Sequence, residues 1–228
     1  MHSTPARAFI FDMDGTLVDN MAYHMQSWLA FMERQGLSPE PDAFFRATAG
    51  RTSHEILAAY LGDQLTPSDY ARFDQEKESL YRELYAPHLA PAGGLEAFMA
   101  SAKRAGVRMA VATAAPKDNI DFTLDGLDLR AEFTAIAGAA DVARGKPHPD
   151  VFLLAAERSS AQPEHCIVFE DAPLGVEAAR RAGMRAVVLT TTLPAEAFAG
   201  FDNIIAMARD FSELDVESLF ASTAAMSN

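Results

Sequence analysis

The residues with the most chemistry to offer stand in four short stretches. IFDMDGTLVDN (10–20) puts Asp12, Asp14 and Asp19 at the end of an apolar run; VRMAVAT ends on Thr113, RGKPHPD carries Lys146, and HCIVFED closes on Glu170 and Asp171. Carboxylates buried together repel and raise one another's pKa, so such a group calls for a cation. Oxygen donors select a hard ion, Mg2+, which commonly takes one or two carboxylates and leaves positions for water and a substrate phosphate. One aspartate beside it can attack phosphorus, and a second, two residues on and on the same side of the chain, can protonate the leaving oxygen. Each stretch also has an ordinary reading. DxDG is a common acidic turn, Asp19 reads as a hinge or turn residue, and Lys146 alone reads as a solvated lysine. Pro147 after Lys146 replaces the Ser or Thr of a nucleotide P-loop, which excludes that motif.

These groups need elements to position them. Apolar runs ending at Asp12, Thr113, Asp171 and Thr190 are brief and continuous, as strands buried on both faces of a parallel sheet should be, and FTAIAG (133–138) is a weaker candidate. Helical patterns over 94–106 and 175–183 end in Gly, and one over 150–159 follows Pro149. Strand and helix in alternation imply right-handed crossovers and a doubly wound α/β sheet, with ligands beyond the carboxyl ends of its strands. From Asn20 to about Ala90 no strand pattern occurs, and NMAYHMQSWLAFMERQG and SDYARFDQEKESLYREL read as helices inserted after the first strand. Leu17–Asn20 and APHLAPAGG (86–94) would be the hinges, giving a Rossmann-like core over 1–18 and 91–228 and an α-helical cap over 19–90. The last residues, ASTAAMSN, read as a frayed tail.

Composition narrows the partners. Of 228 residues, 49% are hydrophobic, enough for a sizeable core, and the formal charge of −13 argues against nucleic acid and acidic membranes. An anionic substrate must then be held by local charge. The single Cys166 excludes an internal disulfide, reads as a small buried apolar residue and agrees with a reducing cytoplasm. MHSTPARAF lacks the pattern of a secretion signal, and no apolar run approaches the ~18 residues of a membrane span. The expectation is a cytoplasmic monomer.

In their order and spacing DMDGT (12–16), Thr113, Lys146 before Pro147, and FEDAPLG (169–175) resemble the four motifs of the haloacid dehalogenase-like superfamily, across nearly the whole chain. The resemblance implies that Asp12 is the nucleophile that becomes phosphorylated and that Asp14 is the general acid, then the base for water. It implies that Thr113 and Lys146 hold phosphoryl oxygens. Asp12, the main-chain carbonyl of Asp14 and Asp171 would ligate Mg2+, with Glu170 near or in that shell. An acid at position 14 resembles the phosphatase and phosphomutase branches.

The helical insert resembles the cap of the β-phosphoglucomutase-like and sugar phosphatase group. That likeness implies substrate contacts at Gly15, His24, Arg51, Lys77, Ala114 and Lys117. At Thr113-Ala-Ala-Pro116 the polar side chain usual after the Thr is missing, so contacts there fall to backbone or Lys117. Mutases of the group carry a Lys before the Gly of the cap loop and an Arg three residues after it, where AGRTS has Ala49 and Ser53. The expectation is therefore a Mg2+-dependent phosphatase of a small phosphorylated metabolite, a sugar phosphate foremost. Phosphomutase, inorganic pyrophosphatase and a catalytically silent phospholigand-binding module are the alternatives. Structural readings remain open for the cap residues: His24 as a satisfied polar group, Trp28 as core, Arg51 as partner of a nearby acid, Lys77 in DQEKES as a solvated charged face, and Thr52 with Glu55 as a capping box.

Overall fold

The computed structural model describes residues 7–48 and 51–225, with side chains through Ala221. Ala49 and Gly50, half of the cap-loop argument, lie outside the described residues, as do 226–228. The chain separates into two compact units, Met1–Asp19 with Leu89–Asn228, and Asn20–His88.

In the first unit, β1 (Ala8–Phe11) is buried at every position. Alternation along it sends Phe9 and Phe11 into one apolar cluster and Ala8 and Ile10 into another, so the strand must be covered on both faces. The other strands are β2 (Arg108–Ala112), β3 (Ala135–Ala137), β4 (Cys166–Glu170), β5 (Arg185–Leu189) and β6 (Ile204–Ala208). All pair in parallel, in the order β3-β2-β1-β4-β5-β6. This is the doubly wound sheet expected, with one strand more. The added strand carries its own short apolar run, IIAMA, which the sequence reading passed over; Ile204, Ile205 and Ala206 are only partly buried and Met207 is 43% exposed, as befits the edge of the sheet.

The second unit holds α1 (Met21–Arg34), α2 (Pro41–Thr48), α3 (Ser53–Leu61) and α4 (Pro67–Tyr85). They surround their own core of Trp28, Phe31, Met32, Phe44, Ile56, Leu57, Phe73 and Leu80. Trp28 is thus a packing residue. Thr52 and Glu55 form the reciprocal capping box at the start of α3.

Back in the sheet unit, α5 (Leu95–Arg104), α6 (Lys117–Gly126), α7 (Asp150–Arg158), α8 (Pro173–Arg181) and α9 (Val216–Ala225) supply the outer layers. Phe98 of α5, Leu124 of α6 and Leu219 of α9 join the cluster of Phe9 and Phe11; Phe152 of α7 and Val176 of α8 join that of Ile10. Gly106 (φ 68) ends α5 as its sequence pattern predicts: the Gly106 N–H donates to Lys103 O and the Val107 N–H to Ala102 O. The tail differs from expectation. Ala221–Ala225 continue α9, because Val216 and Leu219 bury its first turn and hold the helix against the sheet.

Where the chain leaves the sheet unit and returns to it, the Ala92 N–H donates to Leu17 O at 2.8 Å, so the two connections are tied together.

Candidate active site

Strand order decides which side chains meet. The direction of winding reverses between β1 and β4, which pair with Phe11 opposite Phe169. The next residues up, Asp12 and Glu170, therefore stand level at the crevice where such sheets bind ligands. The Asp12 N–H donates to Phe169 O at 2.9 Å and continues the ladder by one bond. The chain then turns. The Thr16 and Leu17 N–H groups donate to Met13 O, and Gly15 takes φ 75, which an L side chain resists. The strand alternation invoked from sequence to align Asp14 with Asp12 thus ends before Asp14; the turn brings it near, and its charge is felt by Asp12.

Lys146 joins the two strands. Its Nζ donates to Asp12 Oδ1 at 2.7 Å and to Glu170 Oε1 at 2.6 Å, with its side chain 11% exposed. Glu170 Oε2 accepts from the N–H groups of Asp171 and Ala172, both at 3.0 Å. Both oxygens of Glu170 thus have protein donors, and its carboxylate anchors the lysine and the loop after β4.

Burial pushes the Asp12 carboxyl up to about 7, against the pull of Lys146 and with help from the charges of Glu170 and Asp14. Burial likewise pushes Asp171 up to about 8; Glu170 and Asp12 add to the rise, while the Thr192 hydroxyl and Lys146 oppose it. Desolvation therefore outweighs the mutual repulsion that the sequence argument put first. Burial alone would lower Lys146, but Asp12 and Glu170 outweigh it and hold the ammonium above its ordinary value.

This donor set fits a hard divalent cation. Asp12, Glu170 and Asp171 each offer an oxygen within 4.8 Å of the others. Three carboxylates and one ammonium leave two negative charges, which a doubly charged ion would neutralise.

Thr113 stands one residue beyond β2; it is buried, and its Oγ1 accepts from the Ala115 N–H at 3.0 Å. Ala114 is exposed in the following turn. Lys117, 81% exposed at the start of α6, is paired with Asp121. Asp19 is exposed.

In the helical unit, Lys77 is not on a solvated face. It is 4% exposed, donates to His24 Nδ1 at 2.9 Å and to Glu78 Oε1 at 2.8 Å, and lies 5.4 Å from the Trp28 ring centroid. His24 stacks on Tyr81 at 3.8 Å, and the Tyr81 hydroxyl accepts from Asn20 Nδ2 at 2.6 Å. The buried face was legible in the spacing of Phe73, Lys77, Leu80 and Tyr81 along α4, which the charges of DQEKES obscure. Arg51 is exposed before α3, its N–H donating to Thr48 O.

Gly15 was read from the sequence only as a substrate contact, and the supporting roles of Gly15, Gly175, Thr191 and Thr192 escaped that reading. A Cβ on Gly175 would collide with the Glu170 carboxylate, and one on Gly15 with Asp171 Oδ2, so both glycines are cradles for acids. Thr191 and Thr192, just after β5, donate to Gly15 O and Asp171 Oδ2. Only FEDAPLG hinted at Gly175, and nothing marked the threonines.

The model of the haloacid dehalogenase-like hydrolase family matches residues 9–189. Fructose-1-phosphate phosphatase YqaB of Escherichia coli (strain K12) is 34% identical over 178 residues, 78% of this chain and 93% of that one. Validoxylamine A 7'-phosphate phosphatase of Streptomyces hygroscopicus subsp. limoneus is 30% identical over 210 residues, 90% of this chain and 94% of its own. Among solved structures, CbbY from Rhodobacter sphaeroides in complex with phosphate superposes with a TM-score of 0.80 at 28% identity, covering 94% of this chain and 99% of that one. With its motifs gathered at the switch point of a doubly wound sheet and the family's pattern running through most of its length, the chain belongs to the haloacid dehalogenase-like hydrolase family.

Proposed function

We propose that this chain is a Mg2+-dependent phosphatase that hydrolyses a small phosphorylated metabolite, a sugar phosphate foremost, through an aspartyl phosphate. The observation that carries the reading is the buried group of Asp12, Glu170 and Asp171 around Lys146 at the carboxyl ends of β1 and β4. In the first half-reaction a carboxylate oxygen of Asp12 bonds to phosphorus in line as the bond to the leaving oxygen breaks. Asp14 gives its proton to that oxygen. In the second, Asp14 takes a proton from water, which attacks the same phosphorus, releases inorganic phosphate and restores Asp12. Lys146 offsets the repulsion between phosphate and carboxylate; a unit-charge pair at ~4 Å is worth about 4 kcal/mol at an effective dielectric near 20. Mg2+ held by Asp12, the main-chain carbonyl of Asp14 and Asp171 would add the remaining charge neutralisation at the phosphoryl oxygens. Glu170 fixes Lys146, and Thr113 is a further contact for the phosphoryl group.

The names of the fructose-1-phosphate and validoxylamine 7'-phosphate phosphatases, and the phosphate in the CbbY structure, support a phosphorylated carbohydrate as substrate. The helical unit, with His24, Arg51 and Lys77, would act as the cap that selects it. Ala49 and Ser53, in place of the mutase Lys and Arg, favour water over a second sugar hydroxyl as acceptor.

The test is turnover of p-nitrophenyl phosphate and of a hexose 1-phosphate in Mg2+. The expected products are free phosphate and sugar, with activity abolished by excess EDTA and reduced on the order of 10^4-fold or more in Asp12→Asn. Accumulation of hexose 6-phosphate would make the chain a mutase, and full activity of Asp12→Asn would refute the mechanism.

A further inference from the structure

MRAVVLTTTLP carries three consecutive threonines immediately after β5. Their hydroxyls go to three different segments. Thr190 is fixed to β6, its N–H and Oγ1 both donating to Ala208 O, at 2.9 and 3.3 Å. The Thr191 hydroxyl donates to Gly15 O, in the turn that follows Asp12, and that of Thr192 donates to Asp171 Oδ2. Thr191 and Thr192 are both partly buried. The packing on this spot is tight: a Cβ on Gly15 would collide with Asp171 Oδ2 and with Thr192 Oγ1.

A carboxylate is free to rotate about its last bond unless something holds one oxygen. Among the described residues Asp171 receives no ammonium of its own, since Lys146 bonds to Asp12 and Glu170. The Thr192 hydroxyl is the side-chain donor that sets the plane of this carboxylate. The neighbouring Thr191 holds the peptide after Asp14 and Gly15 in the same way. Segments far apart in sequence, the turn after β1 and the loop after β4, are thereby clipped to one rigid strand end anchored through Thr190.

We infer that Thr192 is a positioning residue for the cation: it orients Asp171 through Oδ2, with Thr191 fixing the turn of Asp14 and Gly15 beside it. The inference rests on the reading of Asp171 as a Mg2+ ligand, and the experiment separates the two. Outer hydrogen bonds of this kind typically change metal affinity by about 10–100-fold.

Mg2+ is titrated into the full chain without substrate, the rise in melting temperature being followed for wild type, Thr192→Val, Thr192→Ser and Asp171→Asn, each first melted in EDTA to show that it is folded. In Thr192→Val the Mg2+ concentration at half effect should rise about 10-fold, while Thr192→Ser, which keeps the hydroxyl, should stay within about 2-fold of wild type. Phosphatase activity lost by Thr192→Val at low Mg2+ should return as Mg2+ is raised. If the valine variant does not fold, Thr192→Ala is measured in its place against the same expectation. An unchanged half-effect concentration in the hydroxyl-free variant, or a serine variant as impaired as the valine one, overturns the positioning role while leaving Asp171 as ligand. An unchanged Mg2+ response in Asp171→Asn overturns the ligand assignment and the inference with it.

Discussion

Each unit of this molecule buries one lysine, and the two sites differ in charge balance. Lys146 in the sheet unit is bonded to two carboxylates, with a third in the same cluster. Lys77 in the helical unit meets one carboxylate, Glu78, together with Nδ1 of His24 and the rings of Trp28 and Tyr81. The first site keeps an excess of negative charge and so attracts cations; the second is near neutrality. Burial of a lysine is therefore not by itself a functional signal. What distinguishes the sites is the charge left over once the lysine has been paired, and among the described residues it is the sheet unit whose remainder fits a metal.

Removing each lysine in turn tests the contrast. Lys146→Met should be the most damaging, with a loss on the order of 10^3-fold in kcat/KM and about 3–5 kcal/mol of stability at pH 8, since Asp12 and Glu170 would be left buried without a cation. The stability loss should shrink at pH 5, where Asp12 takes up a proton instead. The same sign holds for the wild type in EDTA. Asp12 and Asp171 have folded pKa values raised above the ordinary 3.8, to about 7 and about 8, so the folded state binds more protons across that window. Stability should therefore fall as pH rises from about 4 to 8, and Mg2+ should raise the melting temperature more at pH 8 than at pH 5. Melting curves at both pH values check this; an equal stability loss for Lys146→Met at pH 5 and pH 8 would break the charge-excess account.

Gly175→Ala should have the next largest effect. The added methyl pushes the Glu170 carboxylate out of its place beside Lys146, and kcat should drop about 10–100-fold while the chain remains folded. Steady-state kinetics with a circular dichroism melt checks it, and unchanged kcat would show that Glu170 is not the anchor of Lys146. Lys77→Met should be mildest: about a 10-fold rise in KM for the preferred sugar phosphate, with the Mg2+ dependence of wild type. A shifted Mg2+ requirement in Lys77→Met would erase the distinction between the two lysines.

Much of the sheet was legible because inner strands are buried on both faces and leave continuous apolar runs such as AFIF and CIVFE. β6 leaves a run of the same kind, IIAMA, which went unread; only the structure shows it as an edge strand with Met207 in solvent. Asp12, Glu170 and Asp171 were legible for the same reason, as polar residues that interrupt those runs at the carboxyl end. Lys146 has no local signature and was found only through its place between motifs. The burial of Lys77 was missed because neighbouring charges in α4 outnumber it, although Phe73 and Tyr81 stand one turn away on either side.

By itself the sequence determined the element types, the order of the four motifs and the residue types at the strand ends, since these follow from short-range patterns of burial and chain geometry. The tertiary structure alone decided which of those groups touch. Lys146 and Asp12 are 134 residues apart in sequence, and their 2.7 Å contact is made from the segment between β3 and α7 to the end of β1, beside the β4 end that supplies Glu170. The pairing of Glu170 with Lys146, the glycine cradles and the hold of Thr192 on Asp171 are likewise products of packing, which no local pattern of residues encodes.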